Sequence, residues 1–242
     1  MTTSSNPAQG HDLAAVAAYF NGWHTYQQVI QHNYMKHRQV AQCLRFYLKS
    51  QALGQGSFLD LGCSDGSFAQ SLFQTFSPST YTGVDLSVTA LGLARENFSQ
   101  ATYPVTFYEQ ELLAFLREHS QQFNVLLSAF SVHHLSLADK QAYFQQGRSH
   151  LQPGGVLVFV DVFRQEGESR EAYLQRYGAM MRRDWTQLTP AVQAVLMEHI
   201  TASDFPESES CIRDLAQQAG FSQVECLYTG GQDTEKILVI SG

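Results

Sequence analysis

The sequence predicts an α/β fold in which a doubly wound, mostly parallel sheet is covered by helices. Between residues 58 and 163, short apolar runs alternate with segments of helical periodicity, a pattern typical of parallel strands joined by crossover helices. The first run leads into a turn with glycines at 62 and 66, and then into apolar residues spaced as on a helix. Because ligands of such sheets bind beyond the carboxyl ends of the strands, we look for the site there.

Seven strands are predicted, and the last two form a hairpin that closes the sheet. The first four are residues 58–61, 81–85, 105–108 and 124–129, and the fifth follows the sequence LQPGG at 151–155. A helix over residues 208–219, with Gly220 as its C-cap, precedes the strands 223–228 and 236–240. Ser87 is the predicted N-cap of the helix after the second strand.

The remaining segments divide the chain further. Residues 1–11 are predicted to be a disordered tail, and 12–53 a helical cap that contains one long amphipathic helix from about residue 25 to 51. The core occupies residues 54–163 and 206–242. Residues 164–205, which we call the insertion, contain two predicted helices, the second of which starts at Thr189-Pro190.

The composition of the chain argues against some classes of binding partner. The chain has 242 residues and a formal net charge of −7, which disfavours nucleic acid because that partner rewards a basic surface. Neither a signal peptide nor an apolar run of membrane-spanning length is present. The four cysteines form no CxxC pair, so we expect reduced thiols and a cytoplasmic protein without a membrane partner.

Five segments in order resemble the class I S-adenosylmethionine-dependent methyltransferases. They are FLDLGCSDGSFA, YTGVD, the third strand with Gln110-Glu111-Leu112, SAFSVHHL and LQPGG. The resemblance covers about residues 55–163 and the closing strands. It implies a seven-stranded Rossmann-like sheet with an antiparallel last strand, S-adenosyl-L-methionine as cofactor, and N-terminal helices that close the cofactor site.

The resemblance also implies which residues hold the cofactor. Those expected at its amino-acid tail are Asp60, Gly62 and Ser64, the last at a position where many members have glycine. Asp85 is expected to bind the ribose hydroxyls and Leu86 to flank the adenine. The other expected contacts are Gln110 and Glu111 at the adenine amino group, Ala129 at the end of the fourth strand, and Tyr34 from the N-terminal helices. An alternative for Glu111 is a first-turn acid favoured by the helix dipole.

Two histidines follow the fourth strand, where the transferred methyl group would point. His134, and less directly His133, can act as a general base on the acceptor, or can simply hydrogen-bond the loop. The sequence SAFSVHHL has no Asp or Asn to ligate a divalent ion, so no metal is expected. It also lacks the (N/D)PP(Y/F) run of amino-methylating DNA enzymes, which favours a small-molecule acceptor.

The insertion leaves the sheet at the same edge, so we expect it to cover the acceptor. Tyr177 and Trp185, together with His37 of the cap, are the predicted substrate residues. Arginines at 176, 182 and 183 suit an anionic or polar acceptor. The alternative for this aromatic stripe is the interface of a homodimer.

The function predicted is in-line methyl transfer to oxygen or nitrogen of a small metabolite. A non-catalytic or regulatory S-adenosylmethionine-binding protein is an alternative. A nicotinamide dehydrogenase is disfavoured because Gly62 and Gly66 do not form a GxGxxG motif.

Overall fold

A computed structural model describes residues 24–231 and 234–242. The predicted tail and residues 12–23 of the predicted helical cap lie outside this range. The described helices are α1 His24–Gln31, α2 His37–Ser50, α3 Ser67–Leu72, α4 Val88–Asn97, α5 Leu112–Glu118, α6 Leu137–Ser149, α7 Arg170–Asp184, α8 Pro190–Ser203 and α9 Glu209–Gln218. The strands are β1 Ser57–Leu61, β2 Thr80–Asp85, β3 Val105–Glu109, β4 Phe123–Ala129, β5 Leu151–Val162, β6 Gln223–Thr229 and β7 Glu235–Ser241.

The strands form one seven-stranded sheet in the order β3-β2-β1-β4-β5-β7-β6. Neighbouring strands from β3 through β5 are parallel, whereas β7 is antiparallel to both β5 and β6. The predicted fold class is therefore confirmed. The strand order reverses between β1 and β4, and a crevice is expected at such a switch point.

Apolar side chains cover both faces of the sheet. Along β1, Phe58 belongs to the cluster beneath α2 and the insertion, and Leu59 belongs to the cluster beneath α6 and α9. This alternation follows from the two-residue period of a strand. Burial on both faces explains why the central strands read as continuous apolar runs in the sequence.

The single long helix predicted for residues 25–51 is wrong, since α1 and α2 are separate helices. Asn33 and Lys36 lie between them, each with a φ of 58°. Asparagine tolerates this left-handed conformation, and the Asn33 Oδ1 atom accepts a hydrogen bond of 2.9 Å from the Arg38 backbone N–H. The break redirects the chain, so residues of α1 and α2 no longer share one helical face.

The two helices of the insertion begin at side-chain caps, Ser169 for α7 and Thr189 for α8. The aromatic stripe of α7 faces inward, with Tyr177 and Trp185 each 3% exposed. Because these side chains are buried, the stripe lacks the exposed aromatic surface that the alternative, a homodimer interface, requires.

The chain returning from the insertion is fastened to the carboxyl edge of the sheet. The Phe205 backbone N–H donates to the His133 carbonyl at 2.8 Å. Three cationic side chains donate to successive carbonyl oxygens of the same segment: Arg170 to Asp204, Lys140 to Phe205 and Arg164 to Pro206. Residues 204–206 are thereby fixed over the loop that follows β4.

Among the residues described, no helix combines the length and the apolar character that crossing a membrane requires.

Replacing Gly62 with Ala should destabilise the fold. Gly62 has a φ of +79°, and an added Cβ would lie 2.4 Å from the Ser131 Cβ. Left-handed backbone costs an L-residue about 1–2 kcal/mol before the clash is counted. We expect chemical denaturation to show a loss at least this large.

Gly92→Ala is the matched control, because a Cβ added at Gly92 would have nothing within 4 Å and α4 accommodates it. That variant should be neutral or more stable by about 0.5–1 kcal/mol. Equal stabilities of the two variants would contradict the strain assigned to Gly62.

Candidate functional site

Three cavities lie at the carboxyl edge of the sheet and share Tyr26 and Phe130 in their walls. The first, which we call the Asp85 cavity, is also lined by Gly62, Leu86, Glu111 and His134. The second, the His37 cavity, is also lined by Asp60, Gly62, Ser64 and Arg38. The third, the Asp204 cavity, is also lined by His133, His134, Tyr177, Trp185 and His199.

The turn after β1 is held by hydrogen bonds to β2. The backbone N–H groups of Gly62 and Cys63 donate to the Val84 carbonyl at 2.8 and 3.0 Å. Ser64 has a φ of 56°, which is uncommon for a residue with a side chain. This conformation lets the Ser64 N–H donate to Asp85 Oδ2 at 2.8 Å. The turn therefore links the two strand ends that carry the predicted cofactor residues.

Both carboxylate oxygens of Asp85 accept hydrogen bonds from backbone N–H groups. Its Oδ1 atom accepts a 2.8 Å hydrogen bond from the Ser87 N–H, while Oδ2 accepts that of Ser64. Burial raises the pKa of Asp85, and these N–H groups oppose the rise. A carboxylate offers about four lone-pair sites, so it retains capacity for the hydroxyl groups of a ligand in the Asp85 cavity.

Asp60 is a buried acid of the site, and its ionised form is disfavoured by its surroundings. It is 3% exposed and accepts a 2.8 Å hydrogen bond from the Tyr81 hydroxyl. Burial raises its pKa to about 7, and the nearby Asp85 adds to the rise. A cationic group bound in the His37 cavity would favour the ionised carboxylate.

The three residues predicted around the adenine, Leu86, Gln110 and Glu111, line the Asp85 cavity, and so does Ala129, the predicted contact at the end of β4. The alternative considered for Glu111 is also observed, because its carboxylate caps α5 by accepting from the Ala114 N–H at 2.7 Å. The Gln110 amide donates to Glu118 at 2.7 Å. The cofactor contacts of these residues stay predictions.

The structure gives Tyr34 a different position from the one predicted. Its ring stacks on Trp185 with centroids 4.9 Å apart, and its hydroxyl accepts from the Gln187 N–H at 2.9 Å. Tyr26 of α1 takes the place at the cavities, because the helix break separates the two tyrosines. His37, predicted as a substrate residue, lines the His37 cavity, and burial lowers its pKa to about 4.

The two histidines lie at different points of one polar cluster. His133 Nδ1 is 2.5 Å from Asp161 Oδ1, and the His133 N–H donates to Asp161 Oδ2. Burial opposes protonation of His133, but Asp161 and Asp204 outweigh it and raise its pKa. His134 Nδ1 lies 3.1 Å from the Ser203 carbonyl oxygen. Of the two, His134 alone lines both the Asp85 and the Asp204 cavity.

Apolar and aromatic side chains form most of the Asp204 cavity. Tyr177 and Trp185, the predicted substrate residues of the insertion, line it together with Val29, Met35, Leu196 and Ile200. Their contact with an acceptor stays a prediction. The arginines of α7 are not part of its wall. Arg176 is paired with Glu168 at 2.7 Å and Arg183 with Asp184 at 2.7 Å, so the structure does not place them for an anionic acceptor.

Sequence reasoning missed Asp161, Asp204, Tyr26 and Phe130. A signal existed for Asp161, which stands near the carboxyl end of β5 as Asp60 and Asp85 do on β1 and β2. Asp204 reaches the histidines only through the path of the insertion, so no local motif could reveal it. Phe130 has a φ of 57°, a conformation that sequence alone does not indicate for a bulky residue.

The chain is similar to known methyltransferases. A family described as "Methyltransferase domain" matches residues 58–155. An uncharacterized methyltransferase of Synechocystis sp. is 29% identical over 187 residues, which are 76% of each chain. A carboxy-S-adenosyl-L-methionine synthase of Chromohalobacter salexigens is 25% identical over 68% of this chain and 61% of its own.

Solved structures with the same fold include two methyltransferases crystallised with S-adenosylmethionine. Magnesium protoporphyrin IX methyltransferase from Synechocystis has a TM-score of 0.64 and 17% identity, over 98% of this chain and 100% of its own. Human N-acetylserotonin methyltransferase has a TM-score of 0.64 and 15% identity, over 98% of this chain and 60% of its own. At these identities the likeness concerns the fold.

The raised pKa of Asp60 predicts a pH-dependent cost to stability. In the unfolded chain Asp60 ionises near its ordinary pKa of 3.8, whereas in the folded chain it ionises near 7. Wild-type stability relative to Asp60→Asn should therefore fall as pH rises from about 4 to about 7 and then level off.

Denaturant unfolding of both proteins across this pH range measures the difference. Asp65→Asn, which changes a neighbouring acid of the same turn, serves as the control. Parallel stability curves for wild type and Asp60→Asn would contradict the electrostatic strain assigned to Asp60.

Proposed function

We propose that this chain is a class I S-adenosylmethionine-dependent methyltransferase that methylates oxygen or nitrogen of a small molecule bound in the Asp204 cavity, since residues 58–155 match a family described as "Methyltransferase domain". One observation carries the proposal: the Asp85, His37 and Asp204 cavities share Tyr26 and Phe130. A cofactor spanning the first two cavities would present its reactive end to the third.

The residues around the first two cavities suit the cofactor's parts. Asp85 can accept from the ribose hydroxyls, and the buried Asp60 carboxylate suits the ammonium group of the tail, which would favour its ionised form. Two buried polar atoms, Ser64 Oγ and His37 Nδ1, have no hydrogen-bond partner in the described part of the chain. They line the His37 cavity, where the polar tail would satisfy them.

The wall of the Asp204 cavity favours an acceptor that is mostly apolar and carries one polar reacting group. The cavity has a volume of about 50 Å³, and its polar groups are concentrated at His133, His134, His199 and Asp204. The two structural relatives are named as enzymes for small molecules, which supports the same class of acceptor.

The bound cofactor supplies a methyl group on a positively charged sulfur, which is already a good leaving group. The chain's contribution is then orientation and exclusion of water. Tyr26 and Phe130 separate the cavities, while Tyr177 and Trp185 close the acceptor side. We keep the sequence-based proposal that His134 assists removal of the acceptor's proton, because His134 lines both the cofactor and the acceptor cavity.

Asp85→Ala should weaken the affinity for the cofactor by at least tenfold, which corresponds to about 1.4 kcal/mol of binding free energy. Hydrogen bonds to a charged group contribute roughly 1.5–3 kcal/mol each. The variant also loses the hydrogen bond that the Ser64 N–H donates to Asp85. Titration calorimetry with S-adenosylmethionine and S-adenosylhomocysteine measures the change.

Glu109→Ala is the matched control, since Glu109 is the exposed acid paired with Asp85 in the sheet register. Equal affinities of the Asp85 and Glu109 variants, in proteins that unfold cooperatively, would remove Asp85 from the cofactor site.

Tyr177→Ala should raise the acceptor KM while leaving cofactor affinity within about twofold, because Tyr177 lines the Asp204 cavity but not the Asp85 cavity. Burial of a large apolar side chain contributes about 1.5–3 kcal/mol, so the loss of this contact with the acceptor should raise KM about tenfold or more. Steady-state kinetics with an acceptor found by screening provides the measurement.

Val195→Ala on α8 tests whether any change in the insertion has the same effect, since Val195 is 49% exposed. A Tyr177 variant with weakened cofactor and unchanged KM would place the acceptor elsewhere.

A further inference from the structure

Three buried side chains bring potential metal ligands together at the wall of the Asp204 cavity. His133 and His134 come from the short turn after β4, and Asp204 follows α8. One ligand atom from each lies within 4.8 Å of the others. All three residues are less than one-tenth exposed.

The distances between these atoms fit ligands arranged around one ion. Asp204 Oδ1 lies 3.6 Å from His133 Nε2 and 3.4 Å from His134 Nδ1. Charge-assisted hydrogen bonds are shorter, about 2.7–2.9 Å. Ligands about 2.0–2.2 Å from one tetrahedral ion stand roughly 3.3–3.5 Å apart. Asp204 Oδ1 is also buried and has no hydrogen-bond donor of good geometry in the described part of the chain.

The surroundings of His133 have the form that metal-binding imidazoles usually show. Its Nδ1 atom contacts Asp161, whose carboxylate is itself fixed by the N–H groups of His133 and Val162. A carboxylate on one ring nitrogen holds the proton there and directs the other nitrogen's lone pair to the ion. His133 Nε2 is consequently the nitrogen that faces Asp204.

Charge balance favours a cation at the same point. Asp161 and Asp204 are 1% and 6% exposed, and buried carboxylates require a compensating charge. The nearby cations Lys140 and Arg170 are engaged by backbone carbonyls of Phe205 and Asp204, and Lys140 also by Glu207. A divalent ion would balance the two carboxylates.

We propose that His133, His134 and Asp204 bind a divalent transition-metal ion at the wall of the Asp204 cavity, with Zn²⁺ the ion that two imidazole nitrogens and one carboxylate oxygen suit best. Three protein ligands leave a coordination position for a ligand from the cavity. The Ser203 carbonyl, which lies 3.1 Å from His134 Nδ1, accepts the Nδ1 proton in the metal-free protein. The ion must displace that proton.

The consequence for catalysis rests on the proposed function. A hydroxyl of the acceptor bound to the ion would have a lowered pKa and would release its proton to solvent. The resulting oxygen forms the bond to the methyl carbon, and the electrons of the broken carbon–sulfur bond stay on sulfur. His134 would then serve as a ligand, and the ion would take over the activation otherwise assigned to a base.

The residues at the end of β4, from which no metal was expected, supply the two histidines but no carboxylate ligand. The carboxylate ligand lies seventy positions further along the chain than His134. Asp204 reaches the histidines because hydrogen bonds hold residues 204–206 over the loop that follows β4. The absence of an Asp in SAFSVHHL therefore does not bear on this site.

The test is metal binding to the full-length protein without acceptor. After removal of bound metal with a chelator, Zn²⁺ is titrated by calorimetry, and Co²⁺ by its visible absorption, which reports coordination geometry. We expect one saturable site per chain. Asp204→Asn and His133→Ala should each weaken it by at least about 100-fold, and Asp161→Asn by about 10–100-fold, as for an outer-shell partner.

Controls separate this site from adventitious binding and from misfolding. Asp214→Asn and His32→Ala change exposed residues of the same types and should leave Zn²⁺ affinity unchanged. Thermal melting and S-adenosylhomocysteine binding report whether each variant is folded, and cofactor binding without metal binding would leave the proposed function intact. No saturable binding to folded wild type, or binding unaffected by both Asp204→Asn and His133→Ala, overturns the proposal and leaves a proton-bridged cluster.

Discussion

Four carboxylates gather under the carboxyl edge of the sheet, and the turns around them are arranged to give each one a partner. Burying a charge without a partner is costly. Asp85 accepts from two backbone N–H groups, Asp60 from the Tyr81 hydroxyl, and Asp161 contacts the backbone N–H and ring of His133. Asp204 faces the two imidazoles at 3.4 and 3.6 Å. The left-handed backbone at Ser64 is one result, since it aims an N–H at Asp85.

This constraint also explains how an insertion becomes part of the site. The helices α7 and α8 pack by apolar contacts, which set no unique register by themselves. The return segment is fixed by directional bonds instead, with the Phe205 N–H on His133 and three cations on successive carbonyl groups. Glu207 completes the arrangement through Arg164 at 2.6 Å and Lys140 at 3.3 Å. Asp204 is therefore positioned by hydrogen bonds to the backbone of residues 204–206 and not by its own side chain.

What the sequence could predict was local. Strand runs, the glycine turn and the caps at Ser87 and Thr189 depend on neighbouring residues, and the structure contains each of them. The break at residues 33–36 depends on left-handed backbone at Asn33 and Lys36, which helical periodicity does not register. Because of this break, Tyr26 and not Tyr34 lines the cavities. Asp204 depends on tertiary bonds across the insertion, so it was beyond any motif.

The remaining link between cofactor side and acceptor side is the end of β4. Phe130 has a φ of 57°, and such backbone in a bulky residue costs of order 1–3 kcal/mol unless its surroundings impose it. Its N–H bonds the Val160 carbonyl at 2.8 Å, which keeps Phe130 attached to β5 as the chain turns. The next residue, Ser131, then packs against Gly62, and the short turn of 132–134 sets the histidines beneath the insertion. One strained residue thus places an aromatic ring in the wall of three cavities while aiming the polar cluster at the acceptor side, so the strain is located where the two halves of the site meet.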